Sequence, residues 1–155
     1  METKTTIDKS KELHTTLHLI NEKLNFEGIV DGNRPISLDY IPPYGDNLGY
    51  TSLELFLLSL SSCVGHLLLI LLRKQNKDIQ RFEIKAQGFR NQDHPTSFKS
   101  IVLNINIYSG NTSESEVQKL IKLAEETYCP VWAMIKGNVS VEVKINIFTL
   151  NDSSI

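Results

Sequence analysis

The sequence predicts a mixed α+β fold with the element order βββ-α-ββ-α-α-β, in which short strands surround one long helix. Three features of the sequence support this prediction. Residues 51–75 are almost continuously apolar, segments of alternating apolar and polar residues lie on both sides of them, and a second helical pattern precedes the last alternating segment. Alternation with a period of two is typical of strands, whereas apolar residues three and four positions apart are typical of helices. The long apolar segment is therefore the expected central element of the fold.

The first part of the chain predicts three short strands. Apolar and polar residues alternate in three segments, which are separated by the polar residues 21–23 and by a turn at residues 31–33 that contains a glycine; this favours an antiparallel meander. The three segments are residues 13–20, 24–30 and 36–40. Residues 41–47 follow, and their two adjacent prolines exclude both a strand interior and a helix interior.

The central segment, residues 51–75, predicts a helix that is buried on nearly all sides, because its apolar residues leave no polar face. Thr51 and Glu54 have the spacing of a capping box at its start. A chain of 155 residues has little material to cover such a helix, so we expect a second copy to cover the rest and predict an intertwined homodimer. The small residues at which the two central helices are expected to cross are Ser59, Ser62 and Gly65.

A transmembrane span is the alternative interpretation of residues 51–75, since about twenty apolar residues suffice to cross a bilayer. Glu54, His66 and several serines inside the segment argue against it. The amphipathic strands on both sides also need a shared core. We therefore predict a protein without a membrane contact.

Three further strands are predicted beyond the central helix. Residues 79–89 and 98–108 alternate between apolar and polar side chains and are separated by a polar connection, so they are expected to form a hairpin. Residues 139–147 alternate in the same way and form the last strand. No internal repeat is present.

Two helices are predicted between the hairpin and the last strand. Ser113 and Glu116 repeat the capping-box spacing at the start of the first one. Its expected apolar face consists of Val117, Leu120, Ile121, Ala124 and Tyr128. Pro130 suits the first turn of a short third helix, and Gly137 suits its exit.

Composition and charge exclude several classes of function. The net charge of −2 comes from 16 basic and 18 acidic residues that are well mixed, so no nucleic-acid partner is expected. Residues 1–12 are polar, lack the apolar segment of a secretory signal and are expected to be flexible, which leaves residues 13–150 as a single domain. The prediction is a cytoplasmic protein, whose two cysteines are reactive or simply buried rather than a structural disulfide. No cofactor and no metal ligand set are predicted.

The two cysteines are the candidate reactive groups. Cys63 lies in the middle of the central helix, three residues before His66, so the two side chains share a face and the imidazole could exchange a proton with the thiol. Simple packing is the alternative for a thiol in an apolar helix. Cys129 precedes Pro130 and is the expected N-cap of the short helix, where the helix dipole favours a thiolate. A buried thiol at a helix junction is the alternative there.

The contexts of both cysteines resemble the OsmC/Ohr family of small dimeric thiol proteins. The residues that carry this resemblance are T-S-L-E-L-F-L-L-S-L-S-S-C-V-G-H at 51–66, L-A-E-E-T-Y-C-P-V at 123–131 and the turn F-R-N-Q-D-H-P at 89–95. The similarity extends from about residue 13 to the end of the last strand and includes the order of elements. It implies an OsmC-like α+β fold in which two chains intertwine, with the cysteine-bearing helices at the centre.

The resemblance also implies a chemistry for the two thiols. In the peroxidases of this family, the cysteine at the position of Cys63 reduces a small-molecule peroxide and becomes a sulfenic acid, and the cysteine at the position of Cys129 converts it to a disulfide. An external dithiol then reduces the disulfide. The family holds the first thiolate with an arginine from the N-terminal sheet, which a glutamate positions.

The position of that glutamate differs in this sequence. The family glutamate stands ten residues before the first cysteine, where this chain has Leu53, and Glu54 at nine residues is interpreted as a cap rather than as a clamp for the cation. Arg34, the only arginine before the central helix, and His66 are the candidate charge partners of Cys63.

Two hypotheses about function follow. The first is a thiol-dependent peroxidase for organic hydroperoxides or H2O2, with Cys63, Cys129, Arg34, Glu54 and His66 as site residues. The second is a non-catalytic dimer that binds a small apolar ligand or a protein partner.

Overall fold

The computed structural model describes residues 8–149. The chain divides into two compact units between Leu55 and Phe56, within the first turn of the central helix. Each unit is described by itself. The prediction that residues 13–150 form a single domain stays a prediction.

The first unit contains a three-stranded antiparallel sheet with the order β1-β2-β3. Its strands are β1 (Thr16–Leu19), β2 (Phe26–Ile29) and β3 (Ile36–Leu38). The register aligns Leu19 with Phe26 and Phe26 with Leu38, so these apolar side chains share one face of the sheet. The predicted meander is confirmed, although each strand is shorter than the alternating segment that predicted it.

A buried carboxylate organises the loop after β3. Asp39 is 5% exposed, and its side chain accepts hydrogen bonds from the backbone N–H groups of Tyr40, Asp46 and Leu48. The Leu48 bond is the largest of the effects that lower the pKa of Asp39. The proline-containing segment between these residues is therefore held in a defined loop that leads to the central helix.

The central helix, α1, spans Ser52–Lys74. The predicted capping box is present: the backbone N–H of Thr51 donates to the Glu54 carboxylate at 2.8 Å, and the backbone N–H of Glu54 donates to Thr51 Oγ1 at 3.3 Å. Within one chain, only one side of α1 is buried, and cover of its other side by a second copy stays a prediction. Leu58 and Ile70 on the opposite side of the helix from its buried residues are 51% and 52% exposed.

By length and composition, α1 is also the one helix in the described part of the chain that could cross a membrane. In its most apolar window of 18 residues, 28% of the residues are buried inside the chain. The core helix of a globular protein meets the same criteria.

The second unit contains a three-stranded mixed sheet with the order β4-β5-β6. Its strands are β4 (Arg81–Arg90), β5 (Phe98–Tyr108) and β6 (Ser140–Phe148). β4 and β5 form the predicted antiparallel hairpin, whereas β6 runs parallel to β5, with Ile101 aligned with Val141. A parallel neighbour requires a long crossover connection, which the remaining helices provide.

The crossover consists of α2 (Glu114–Leu123), a π-helical segment (Ala124–Tyr128) and α3 (Pro130–Ile135). Ser113 caps α2 in the predicted capping box with Glu116. Alternate residues of β5 and one side of α1 and α2 form the core of this unit and are fully buried. These residues are Ile101, Leu103, Ile105, Ile107, Leu60, Val64, Leu68, Leu72 and Val117.

Gly65 lies on the buried side of α1 and faces the sheet of its own chain. A Cβ atom added at Gly65 would lie 3.4 Å from the ring of Phe82 and 3.5 Å from Ile84. The expectation that Gly65 provides a close approach between two central helices is therefore wrong. Its lack of a side chain instead allows α1 to pack closely against β4.

Candidate functional site

The structure brings the two cysteines together, as predicted. Cys63 in α1 and Cys129 at the start of α3 are 66 residues apart in sequence, and the Cys129 thiol donates a hydrogen bond to Cys63 Sγ at a sulfur–sulfur distance of 2.6 Å. Both thiols are free; Cys63 is partly buried and Cys129 is 3% exposed. A disulfide bond requires a sulfur–sulfur distance of about 2.05 Å, so only a small movement separates this arrangement from a bridge.

The π-helical segment determines which residue faces Cys63. Ala124 is fully buried, and its carbonyl accepts a hydrogen bond from the backbone N–H of Cys129, five residues later, at 3.0 Å. An α-helix would make the corresponding bond to Tyr128 and direct that residue inward. Tyr128 is instead 58% exposed, so the prediction that it lies on the buried face is wrong. The wider turn therefore places Cys129 on the buried side, in the position that Tyr128 would have in a regular α-helix.

Cys129 is the N-cap of α3, as predicted. Its backbone is extended, with φ −90° and ψ 103°, because Pro130 follows it, and its sulfur accepts a hydrogen bond from the backbone N–H of Trp132 at 3.4 Å. Trp132 was not among the site residues predicted from the sequence. The proline signals the helix start, but the cap contact itself depends on the folded backbone.

The Cys129 thiol remains protonated, contrary to the expectation of a thiolate at this helix terminus. Burial raises its pKa to about 11, and the hydrogen bond that its S–H donates to Cys63 acts in the same direction. The N–H of Trp132 lowers the pKa but is outweighed. Cys129 is therefore the donor of the pair and Cys63 is the acceptor.

The three other predicted site residues have different surroundings. Glu54 forms the capping box with Thr51, which confirms the interpretation as a cap. His66 lies on α1 one turn after Cys63 and is exposed, and Arg34 lies in the exposed loop between β2 and β3. The roles of His66 and Arg34 as charge partners of Cys63 stay predictions.

Metal-binding geometry is absent from residues 8–149, where no group of three or more His, Cys, Asp or Glu side chains is arranged to hold an ion. The chemistry available at the site is that of two adjacent thiols, one of them held protonated. Such a pair can form a disulfide when one sulfur is oxidised.

Comparison with known families gives one match, which covers the part of the chain that contains both cysteines. The family profile described as OsmC-like protein matches residues 45–144, a range that includes both cysteines. No curated protein matches the sequence.

Several solved structures share the fold. A hypothetical protein from Aquifex aeolicus VF5 is 24% identical with a TM-score of 0.78, and the similarity covers 90% of this chain and 98% of that chain. An OsmC-like protein of unknown function from Vibrio cholerae is 19% identical with a TM-score of 0.76, over 88% of this chain and 99% of that chain. The organic hydroperoxide resistance protein OhrB of Bacillus subtilis is 21% identical with a TM-score of 0.60, over 87% and 98%. These similarities confirm the predicted α+β fold.

Proposed function

We propose, since the chain belongs to the OsmC-like protein family, that it is a thiol-dependent peroxidase that reduces organic hydroperoxides or H2O2. The observation that supports this proposal is the contact of 2.6 Å between Cys63 Sγ and Cys129 Sγ. Two cysteines far apart in sequence meet at a helix junction, and one of them donates a hydrogen bond to the other. Structures that share the fold include organic hydroperoxide resistance proteins.

In the proposed first step, the Cys63 thiolate attacks one peroxide oxygen and the O–O bond breaks. Cys63 becomes a sulfenic acid, and the other oxygen leaves as an alcohol, or as water from H2O2, after taking up a proton. In the second step, the Cys129 sulfur attacks the sulfenic sulfur, water leaves and a disulfide forms. An external dithiol then reduces the disulfide and is itself oxidised, which returns both thiols.

The environment of Cys129 favours Cys63 as the thiol that reacts with the peroxide in the first step. A thiol with a pKa of about 11 does not compete for the peroxide at neutral pH, because the thiolate is the nucleophile. Its hydrogen bond stabilises negative charge on the Cys63 sulfur, and once Cys63 is oxidised the same contact places the second sulfur within reach.

A cation near Cys63 would further favour its thiolate. His66 is our first choice because it is one helical turn from Cys63, and Arg34 is the second. Glu54 acts as a helix cap in this proposal and does not position the cation.

A second copy of the chain is the proposed partner. α1 leaves Leu58 and Ile70 about half exposed, and in the first sheet Leu17 and Leu19 are 56% and 57% exposed. Apolar surface of this extent on a chain of 155 residues favours a homodimer. We propose the cytoplasm as the location, because a reducing compartment supplies dithiols.

A non-catalytic dimer that binds a small apolar ligand is the alternative function. Glu54 is the only carboxylate close to the position of the family glutamate, and its hydrogen bonds to Thr51 leave it unable to position a cation. This favours the alternative function.

Peroxide consumption tests the proposed function. The purified protein should consume cumene hydroperoxide or H2O2 with dithiothreitol or dihydrolipoamide as the reductant, and Cys63→Ser should abolish turnover. Replacement of the charge partner, His66→Gln or Arg34→Gln, should lower the rate without changing the fold. Consumption no faster than that of Cys63→Ser with either reductant would favour the alternative function.

A further inference from the structure

A cleft lies beside α3 in the second unit, and the thiol chemistry does not use it. It has a volume of about 610 Å³ and is open to solvent on one side. Residues of β5, the π-helical segment, α3, the loop between α3 and β6, and the start of β6 surround it. They are Lys99, Glu125, Trp132, Lys136, Gly137, Asn138, Val139, Ser140 and Val141.

The charges that line the cleft have no partners in the described structure. No ion pair between residues 8 and 149 includes Lys99, Lys136 or Glu125. Both lysines are exposed and Glu125 is half-buried, so the cleft carries a net charge of one positive unit. It therefore favours an anion of low charge over a polyanion such as a nucleotide, which Glu125 would repel.

Apolar side chains provide the other half of the cleft. Val139 and Val141 are partly buried, and Trp132 is 3% exposed. A ligand in the cleft can thus contact apolar surface and the lysine side chains together.

We propose that this cleft binds an amphipathic monocarboxylate. Lys99 and Lys136 bind its carboxylate, and its hydrocarbon part lies on Val139 and Val141, beside the buried Trp132. Ammonium groups recognise a carboxylate through charge-assisted hydrogen bonds, while burial of the hydrocarbon provides an affinity that a small inorganic anion lacks. The site is separate from the thiol pair, although the backbone N–H of Trp132 contacts Cys129.

Octanoate is a suitable probe because it has the charge and the apolar chain but no oxidising group. Trp132 is the only tryptophan, so its fluorescence reports occupancy of the cleft. We expect saturable binding with amide NMR shifts at residues 137–141. The double variant Lys99→Gln, Lys136→Gln should weaken binding about tenfold or more, which corresponds to the loss of about one charged hydrogen bond.

Three comparisons test the assignment. The matched double variant Lys119→Gln, Lys122→Gln removes two exposed lysines of α2 and should leave the affinity unchanged. Glu125→Gln should strengthen binding, because it removes a like charge. Cys63→Ser should bind octanoate as the unmodified protein does, whether or not the peroxidase proposal is correct.

Two results would overturn the proposal. One is equal affinity for octanol and octanoate, because the lysines would then have no role. The other is a set of NMR shifts confined to residues 60–66, which would place the ligand at the thiol pair instead.

Discussion

Lys77 donates a hydrogen bond to Glu116 at 2.6 Å and another to the carbonyl of Asn111 at 2.9 Å. The Lys77 side chain is only 16% exposed. Lys77, three residues after the end of α1, is therefore connected to the N-terminus of α2, where Glu116 is also part of the capping box with Ser113. This contact links α1, which carries Cys63, to the first helix of the crossover that leads to Cys129.

The first prediction concerns stability in acid. The Lys77 hydrogen bond, followed by those from Ser113, lowers the pKa of Glu116 to about 2 from an ordinary value of 4.5. The resulting stability is present above pH 4.5 and is lost as the pH falls towards 2. In urea unfolding, the midpoint of the Lys77→Gln variant should fall less between pH 4.5 and 2 than that of the unmodified protein. Lys74→Gln, at the exposed end of α1, should leave this dependence on pH unchanged. Equal acid profiles for the two variants would contradict the assignment.

The second prediction is one intramolecular disulfide between Cys63 and Cys129 on mild oxidation. The sulfur–sulfur contact of 2.6 Å is the physical reason. Non-reducing mass spectrometry after one equivalent of peroxide should show the loss of two hydrogen atoms within one chain. Cys129→Ser should instead accumulate sulfinic or sulfonic acid at Cys63. If the unmodified protein yields sulfonic acids and no disulfide, the result argues against a two-cysteine mechanism.

The third prediction concerns stability in base. Burial raises the pKa of Cys129 from 9.0 to about 11, so the folded state keeps a proton that the unfolded state releases. The stability from this effect is fully present below pH 9 and decreases as the pH rises to 11. The stability difference between the unmodified protein and Cys129→Ser should decrease over this range in denaturant titrations. A constant difference would mean that Cys129 ionises normally.

The fourth prediction concerns Glu54. Glutamine also functions in a capping box, so Glu54→Gln should cost less than about 1 kcal/mol of unfolding free energy and leave the rate of peroxide reaction unchanged. Thr51→Ala, which removes the other half of the box, should cost about the same or slightly more. A large loss of rate with intact stability would instead show that Glu54 positions a catalytic cation.

The fifth prediction concerns the dimer. Ile70→Asp on the half-exposed side of α1 should dissociate the protein or cause aggregation, because a carboxylate would be buried without a partner. Met134→Asp on α3, where Met134 is 76% exposed, is the matched control and should not change the association. Leu68→Asp in the core should unfold the chain. Sedimentation of the unmodified protein as a stable, folded monomer would exclude the dimer.

Most elements of the fold could be predicted from local patterns, because periodicity and capping residues depend only on neighbours in sequence. The capping boxes at Thr51 and Ser113 and the N-cap at Cys129 are examples. The parallel pairing of β6 with β5 could not, since alternation shows that a strand exists but does not identify its neighbour. The packing of Gly65 against Phe82 could not be predicted either, because local pattern does not show which side of α1 faces the sheet.

The two cysteines of the candidate site could be predicted from the sequence, but the protonation state of Cys129 could not. The contexts of Cys63 and Cys129 identified both thiols. The dipole of a short helix suggested a thiolate at Cys129, whereas the desolvation that raises its pKa depends on tertiary surroundings that no local pattern contains. The exposure of Tyr128 was missed because regular helical periodicity assumes four-residue spacing, and this chain uses five.

The five-residue spacing from Ala124 to Cys129 has a consequence for the classification of sequences with this fold. A homologue one residue shorter within the segment Ala124–Tyr128 would close an ordinary α-helical turn. That chain would retain both cysteines and the proline, and a sequence alignment would still match them by opening a gap. Its second thiol, however, would point in a different direction around the helix axis. A chain of that length would therefore not bring its second thiol to the position that Cys129 occupies here.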